Sequence, residues 1–270
     1  MSAQSFVPIV QHNGQPATRE TLAPLAFSGF AHFTAMQVRD RRIRGLDLHL
    51  ERLRMASLAL FGVPPEEDRL RAYLRATLEN GPADLSLTVT LHSPTGEFVA
   101  EDVAAPDVLI RTGPASSGPQ GPLSLALFEH ERYLPTIKHV GEGAKTHLLR
   151  QAVAQGFDDA LFVDRHGRIS EGSIWNIAFW DGSTMVWPQA DKLAGTTMGI
   201  VRRQLARLGI PQREQEITPV DLPGFAGAAL MNSWSPGVAV HRIGSTLIPR
   251  APAFMELLHH AYGQEPLVEP

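Results

Sequence analysis

At 270 residues, 43% of them hydrophobic, the chain is long enough to bury one large core or two smaller ones. Its formal net charge of -4 excludes the basic excess of a general nucleic-acid or membrane-surface binder. The lack of cysteine excludes disulfide frameworks, thiolate metal sites and thiol nucleophiles.

The N-terminal stretch shows no basic segment followed by an apolar one, and no apolar run reaches membrane-spanning length. The expected location is therefore the cytoplasm, with neither nucleic acid nor membrane as a partner.

In chain order, Asn13-Gly14 is a turn signal. Residues 32–38 read as a strand, 40–42 as a turn carrying part of a small basic cluster (Arg41, Arg42, Arg44), and 43–46 as the return strand. Residues 49–60 have helical spacing, with Leu50, Leu53, Ala56 and Leu60 on one side and Gly62 placed to end the helix. A second helix follows Pro64-Pro65: its acidic start suits the positive helix end, and Leu70, Tyr73, Leu74 and Leu78 form its apolar stripe. Residues 85–92 alternate as a strand does, and 107–111 form another short one.

From 112 to 122 (TGPASSGPQGP) Gly, Pro and Ser replace apolar periodicity. This divides the chain into an N-terminal domain (1–115), a linker (116–122) and a larger C-terminal domain (123–270). In the latter, 123–128, 159–163, 168–170, 176–180, 228–233 and 238–242 read as strands. Residues 144–155, 198–208 and 252–262 read as helices. Strands and helices alternate in both halves, so the fold class is mixed α/β (α+β) in two domains.

Only three lysines occur, Lys138, Lys145 and Lys192, among many arginines. Lys138 lies between a strand and a helix. Glu171 follows 33 residues later, at the end of a hairpin strand. Two small-residue turns come next, Ala194-Gly-Thr-Thr and Asn232-Ser-Trp-Ser-Pro, and the first opens a helix whose free N–H groups suit a phosphate. One lysine, one carboxylate and two phosphate cradles are what pyridoxal 5'-phosphate (PLP) requires. By spacing alone, a solvated loop lysine and a turn glutamate describe the same residues equally well.

The run from Gly156 to Ile177, with Ile169-Ser-Glu-Gly-Ser-Ile-Trp-Asn-Ile at its end, resembles the central signature of the class IV aminotransferases, the fold-type IV PLP enzymes. That family includes branched-chain and D-amino-acid aminotransferases and aminodeoxychorismate lyases. Other landmarks fall in family order: Asn13-Gly14, His49-Leu-Glu-Arg-Leu and Leu193-Ala-Gly-Thr-Thr. The resemblance implies a two-domain, D-amino-acid-aminotransferase-like fold. Lys138 is implied as the Schiff-base lysine and Glu171 as the partner of the pyridine nitrogen. Backbone amides of Thr196, Thr197 and Trp234, with Arg52 and Ser233, are implied at the phosphate, and Asn176 as a brace. A homodimer with an amino donor and a keto-acid acceptor as substrates is implied too.

Lys145 competes for the anchoring role. It is expected to be exposed on a helix whose Leu148, Leu149 and Ala152 face inward, whereas Ile137-Lys138-His139 resembles the Ile-Lys-His of the lyase branch, with a spacing to Glu171 that fits that branch without a gap. Lys192 reads as a loop residue. His139, beside Lys138, is either a loop residue or a group that tunes the lysine. The 11 histidines show no metal-ligand spacing such as His-Glu-x-x-His, so no metal site is expected.

The substrate subgroup is mixed. Phe33-Thr34, Ile137-Lys138-His139 and Asn232 resemble the lyase side, yet the strand that ends in Leu91-His-Ser-Pro-Thr-Gly lacks that lyase's arginine. Amino-group transfer is the expected activity. β-Elimination of pyruvate from aminodeoxychorismate is the alternative. A non-catalytic PLP-binding protein would need the lysine but not Glu171.

Overall fold

The computed structural model describes residues 6–94 and 105–270. The Thr95-Gly96 end of the run after β-strand 85–92 lies outside the described residues. No helix among the described residues is long and apolar enough to cross a membrane.

Two compact units are present. One comprises residues up to Ser116 together with Ile137–Gly141 and Pro266–Pro270; the other comprises Ser117–Thr136 and Glu142–Glu265. The sequence division differs in assigning 137–141 and 266–270 to the C-terminal domain. Long-range pairing, which no local pattern reports, decides their place.

The first unit is a seven-stranded sheet. It contains β1 (Val10–His12), β2 (Gln15–Pro16), β3 (Ala31–Arg39), β4 (Arg42–Arg44), β5 (Leu85–His92) and β6 (Asp107–Pro114), with Leu267–Val268 pairing on β4. A short helix, α1 (Arg19–Leu22), follows β2. The β3–β4 turn runs through Asp40 and Arg41, both in the left-handed region at φ 52° and 57°, the two-residue geometry that matches strand twist. β5 alternates as expected: Leu85, Leu87, Val89 and Leu91 are buried in one core with Leu46, Leu50 and Leu53 of α2 (Leu46–Phe61) and Leu70, Leu74 and Leu78 of α3 (Glu67–Glu79). β6 runs three residues past the expected end, through Pro114, because all of 107–114 pairs with 85–92. The short segment carrying Lys138 docks on β3. Phe33 N–H donates to Lys138 O (2.8 Å) and Val140 N–H to Ala31 O (2.9 Å).

The second unit contains β7 (Leu123–Glu129), α4 (Gly143–Ala154), β8 (Asp159–Val163), β9 (Ile169–Gly172), β10 (Asn176–Trp180), β11 (Met185–Pro188), α5 (Thr196–Arg207), β12 (Gln212–Gln215), β13 (Gly227–Met231), β14 (Val238–Ile243), β15 (Thr246–Leu247) and α6 (Pro252–Gly263). The sheet runs β12-β11-β10-β13-β14-β7-β8-β9, and β9 pairs again with β10. That return closes a ring of strands, and its register places Asn176 opposite Glu171. β10 is apolar on both faces. Ile177 and Phe179 join the core with Leu125, Leu161 and Leu230, while Ala178 packs with Met198, Val201 and Leu205 of α5 and Phe254 and Leu258 of α6. Helix cover on one side and the sheet's own core on the other explain its near-continuous hydrophobic sequence.

Candidate active site

Glu171 and Asn176 stand side by side on the seam that closes the ring, and both side chains are buried. Together they clamp the backbone of one residue, Leu193, in the segment leading into α5. Leu193 N–H donates to Glu171 Oε2 (3.4 Å), and Asn176 Nδ2 donates to Leu193 O (2.7 Å). Two residues on, the chain passes so close that a Cβ on Gly195 would lie 1.9 Å from Asn176 Oδ1. A side chain is thus excluded there, which is the physical reason for glycine in Leu193-Ala-Gly-Thr-Thr.

α5 then begins at Thr196, two residues earlier than its apolar periodicity indicates, with Gly195 as N-cap and no side chain capping the start. Its first N–H groups have no partner within the helix, and the flanking hydroxyl residues Thr196 and Thr197 are buried. A helix start with buried hydroxyls and no capping side chain is suited to a phosphate.

Glu171 also belongs to a buried group of four charges. Arg132 Nε donates to Glu171 Oε1 (2.7 Å), and Arg132 Nη1 bonds Glu142 Oε1. Lys145 Nζ lies 3.6 Å from Glu171 Oε1 and 3.5 Å from Glu142 Oε2. The side chains of Arg132, Glu171 and Lys145 are 3%, 5% and 6% exposed and that of Glu142 is 25% exposed, so two cations and two anions neutralise one another with Glu142 alone of the four reaching water.

Burial pushes the Lys145 ammonium below its ordinary value, and Glu171 and Glu142 partly hold it up. Burial also works against the Arg132 guanidinium, but Glu171 and Glu142 more than offset this and raise it. A carboxylate that accepts from Arg132 and Leu193 still has lone pairs for a further donor. The residues therefore fit PLP at two points: Glu171 for a protonated ring nitrogen, and the start of α5 for the phosphate.

The expectation that Lys145 is exposed is corrected. It lies on the same stripe of α4 as Leu148, Leu149 and Ala152, and the opposite charges of Glu142 and Glu171 make its burial tolerable. Arg132 and Glu142 escaped the sequence reading altogether. Neither stands in a motif, and only folding brings them to Glu171.

Lys192 is a loop residue, its ammonium donating to Pro188 O (2.5 Å) and Ala190 O (3.4 Å). The 232–235 turn leaves β13 directly after Met231, the residue opposite Asn176. Within it the Trp234 N–H donates to Asn232 Oδ1 (2.8 Å), so this amide, expected at the phosphate, is engaged inside its own turn. Ser233 is half-buried beside it.

The remaining expected residues belong to the first unit. Lys138 is half-buried, with Nζ 4.7 Å from the centroid of the Phe33 ring, a cation–π distance. His139 pairs with His32 across the same short ladder. Arg52 sits half-buried on α2, one turn from His49. Burial, with the charge of Arg52 next, drives the His49 imidazole down to about 3. His49 Nδ1 is 2.6 Å from Thr34 Oγ1.

The family model for class IV aminotransferases matches residues 31–243. The chain belongs to that family. A search of curated protein sequences gives no match. Solved structures share the fold. A branched-chain aminotransferase from the archaeon Thermoproteus uzoniensis is 20% identical, with a TM-score of 0.82 over 93% of this chain and 92% of that one. A hypothetical aminotransferase from Mycobacterium tuberculosis in its PLP-bound form is 22% identical, with a TM-score of 0.74 over 94% and 98%. A protein from Legionella pneumophila assigned as a 4-amino-4-deoxychorismate lyase is 20% identical, with a TM-score of 0.79 over 88% and 92%.

Proposed function

We propose that the chain is a PLP-dependent transaminase, moving an amino group between an amino acid or related amine and a 2-keto acid, and working as a homodimer. The observation that carries this reading is the buried carboxylate of Glu171, paired with Arg132 and tied through Leu193 to an uncapped helix start. When bound, PLP supplies an electron-withdrawing ring that accepts the charge left when a substrate loses its α-proton. Glu171 keeps the ring nitrogen protonated, a contact that strengthens as negative charge develops and so lowers the barrier. Thr196 and Thr197 offer backbone N–H groups and hydroxyls to the phosphate, and Arg52 and Ser233 add donors. Asn176 fixes the Leu193 peptide, and with it the helix start relative to Glu171.

Lys138 is the covalent anchor and the base whose Nζ takes the α-proton and returns it. A carboxylate that holds the ring nitrogen would be para to the aldehyde carbon, so the anchoring lysine would not be one already ion-paired with that carboxylate; Lys145, 3.6 Å from Glu171, is such a lysine, which supports Lys138.

Borohydride reduction of the holoenzyme followed by peptide mapping is the test. A pyridoxyl group on Lys138, lost with turnover in Lys138→Ala and retained in Lys145→Ala, is expected. A label on Lys145 would overturn the assignment. With substrate panels, bleaching of the visible band by amino acids and its return with keto acids identify the transaminase. Pyruvate released from aminodeoxychorismate instead would identify the lyase.

A further inference from the structure

Three polar side chains with no part in the proposed reaction meet at one end of the first unit's sheet. His92 and Asp107 are direct partners across β5 and β6, and His12 on β1 is opposite Leu109, two residues beyond Asp107. Strand alternation sends all three side chains to the same face. Only the register of three strands brings them together, a proximity that local spacing does not report.

Their geometry is that of a ligand set. His12 Nε2 lies 3.4 Å from Asp107 Oδ2, and one ligand atom from each of the three residues lies within 4.8 Å of the others. Tetrahedral zinc with bonds of about 2.0–2.1 Å sets its ligands roughly 3.3–3.5 Å apart. The His12–Asp107 pair already has that spacing, and a ligand atom of His92 lies within 4.8 Å of both.

The surroundings orient each ligand. Asn13 Nδ2 donates to Asp107 Oδ1 (2.7 Å), which leaves Oδ2 to face His12 Nε2. His92 Nδ1 is 3.3 Å from the Ser93 carbonyl. A carbonyl only accepts, so Nδ1 carries the proton and Nε2 presents a lone pair. A backbone carbonyl behind one imidazole nitrogen is the usual way a metal-binding histidine is held in its tautomer. His92 is 4% exposed, and its Nε2 is buried without a hydrogen-bond partner. Leaving such an atom unpaired is ordinarily destabilising, and a bound cation would remove that cost.

We propose that His12, His92 and Asp107 form a site for a divalent transition-metal ion of the zinc class. Two imidazoles and one carboxylate suit zinc rather than calcium or magnesium, which take oxygen ligands, and three protein ligands leave a fourth position for water or an added ligand. The proposal is independent of the transaminase reading, since none of the three residues serves in it.

The experiment uses tag-free holoenzyme, stripped with a chelator and dialysed against limiting zinc. Bound metal is read by elemental analysis, and affinity by competition with a chromophoric chelator. One zinc per chain is expected. His92→Ala and His12→Asn should each weaken binding at least ~100-fold, and Asn13→Ala about 10-fold through its hold on Asp107. His12 is partly exposed, so His12→Asn is expected to fold even if His92→Ala does not. Zinc should raise the melting temperature of the wild type but not of His12→Asn. The proposal is overturned if the wild type retains no stoichiometric zinc, or if folded His12→Asn retains as much as the wild type.

Discussion

Replacing Glu171 with glutamine tests the charge balance of the buried group directly. The substitution keeps shape but only one of the two acceptor oxygens, so it cannot accept from both Arg132 and the Leu193 N–H, and among the described residues it leaves Arg132 and Lys145 facing Glu142 as their one remaining anion. At 3.6 Å, with an effective dielectric near 20, the Lys145–Glu171 attraction is gross about 4–5 kcal/mol. Repulsion from Arg132 and the cost of burial offset much of it, leaving an expected coupling of about 2 kcal/mol between the two positions.

Glu171→Gln alone is expected to destabilise the second unit by about 3 kcal/mol, the scale for an uncompensated buried charge. Part of this strain is relieved if Lys145 sheds its proton, which its lowered pKa favours and which Arg132 cannot do. Adding Lys145→Met restores neutrality, with Arg132 paired to Glu142. The double variant should therefore be more stable than the sum of the singles predicts. The assay is urea unfolding of the four proteins of the cycle, followed by tryptophan fluorescence. All four tryptophans (Trp175, Trp180, Trp187 and Trp234) lie in the second unit and report on it. Additivity within about 0.5 kcal/mol would refute the view that these two charges are energetically joined.

Gly195→Ala should force Asn176 away and break its bond to Leu193, costing about 2 kcal/mol or more and weakening PLP; a melting temperature and cofactor affinity equal to wild type would contradict the clamp. Burial drives His32 to about 4 and His49 to about 3 from an ordinary 6.5, so both are neutral when folded and bind protons more readily when unfolded. Their contribution is complete above about pH 6.5 and is lost as pH falls towards those folded values, by roughly 3 kcal/mol for His32 and roughly 5 kcal/mol for His49; urea unfolding that is flat from pH 7 to 5 would argue against neutral burial. Arg52→Ala should raise the PLP dissociation constant roughly tenfold or more by removing a charge-assisted bond, with the circular dichroism unchanged; an unaltered constant would remove Arg52 from the phosphate.

Much of the framework is written locally. The alternation in 85–92 and the apolar run of 177–180 behind Asn176 give β5 and β10 to the residue, because a strand's two faces report directly on what covers them. Caps and turns at Asn13-Gly14, Asp40-Arg41 and Gly62 are legible because their positive φ angles restrict which residues serve there. The Glu171 signature is legible for a related reason: the close approach at Gly195 and the clamp on Leu193 each tolerate few residue types.

Tertiary structure decided the rest. Lys145 occupies the i, i+3, i+4, i+7 stripe with Leu148, Leu149 and Ala152, yet its charge made exposure the natural expectation. Whether a charge can be buried depends on its partner, and here that partner is contributed by a strand 26 residues further along. The same holds for His12, His92 and Asp107, which no local spacing connects and which strand register sets on one face. Local sequence determines periodicity and turns, because those are short-range steric and solvation effects. The pairing of buried charges and ligands is fixed only when distant strands come into register.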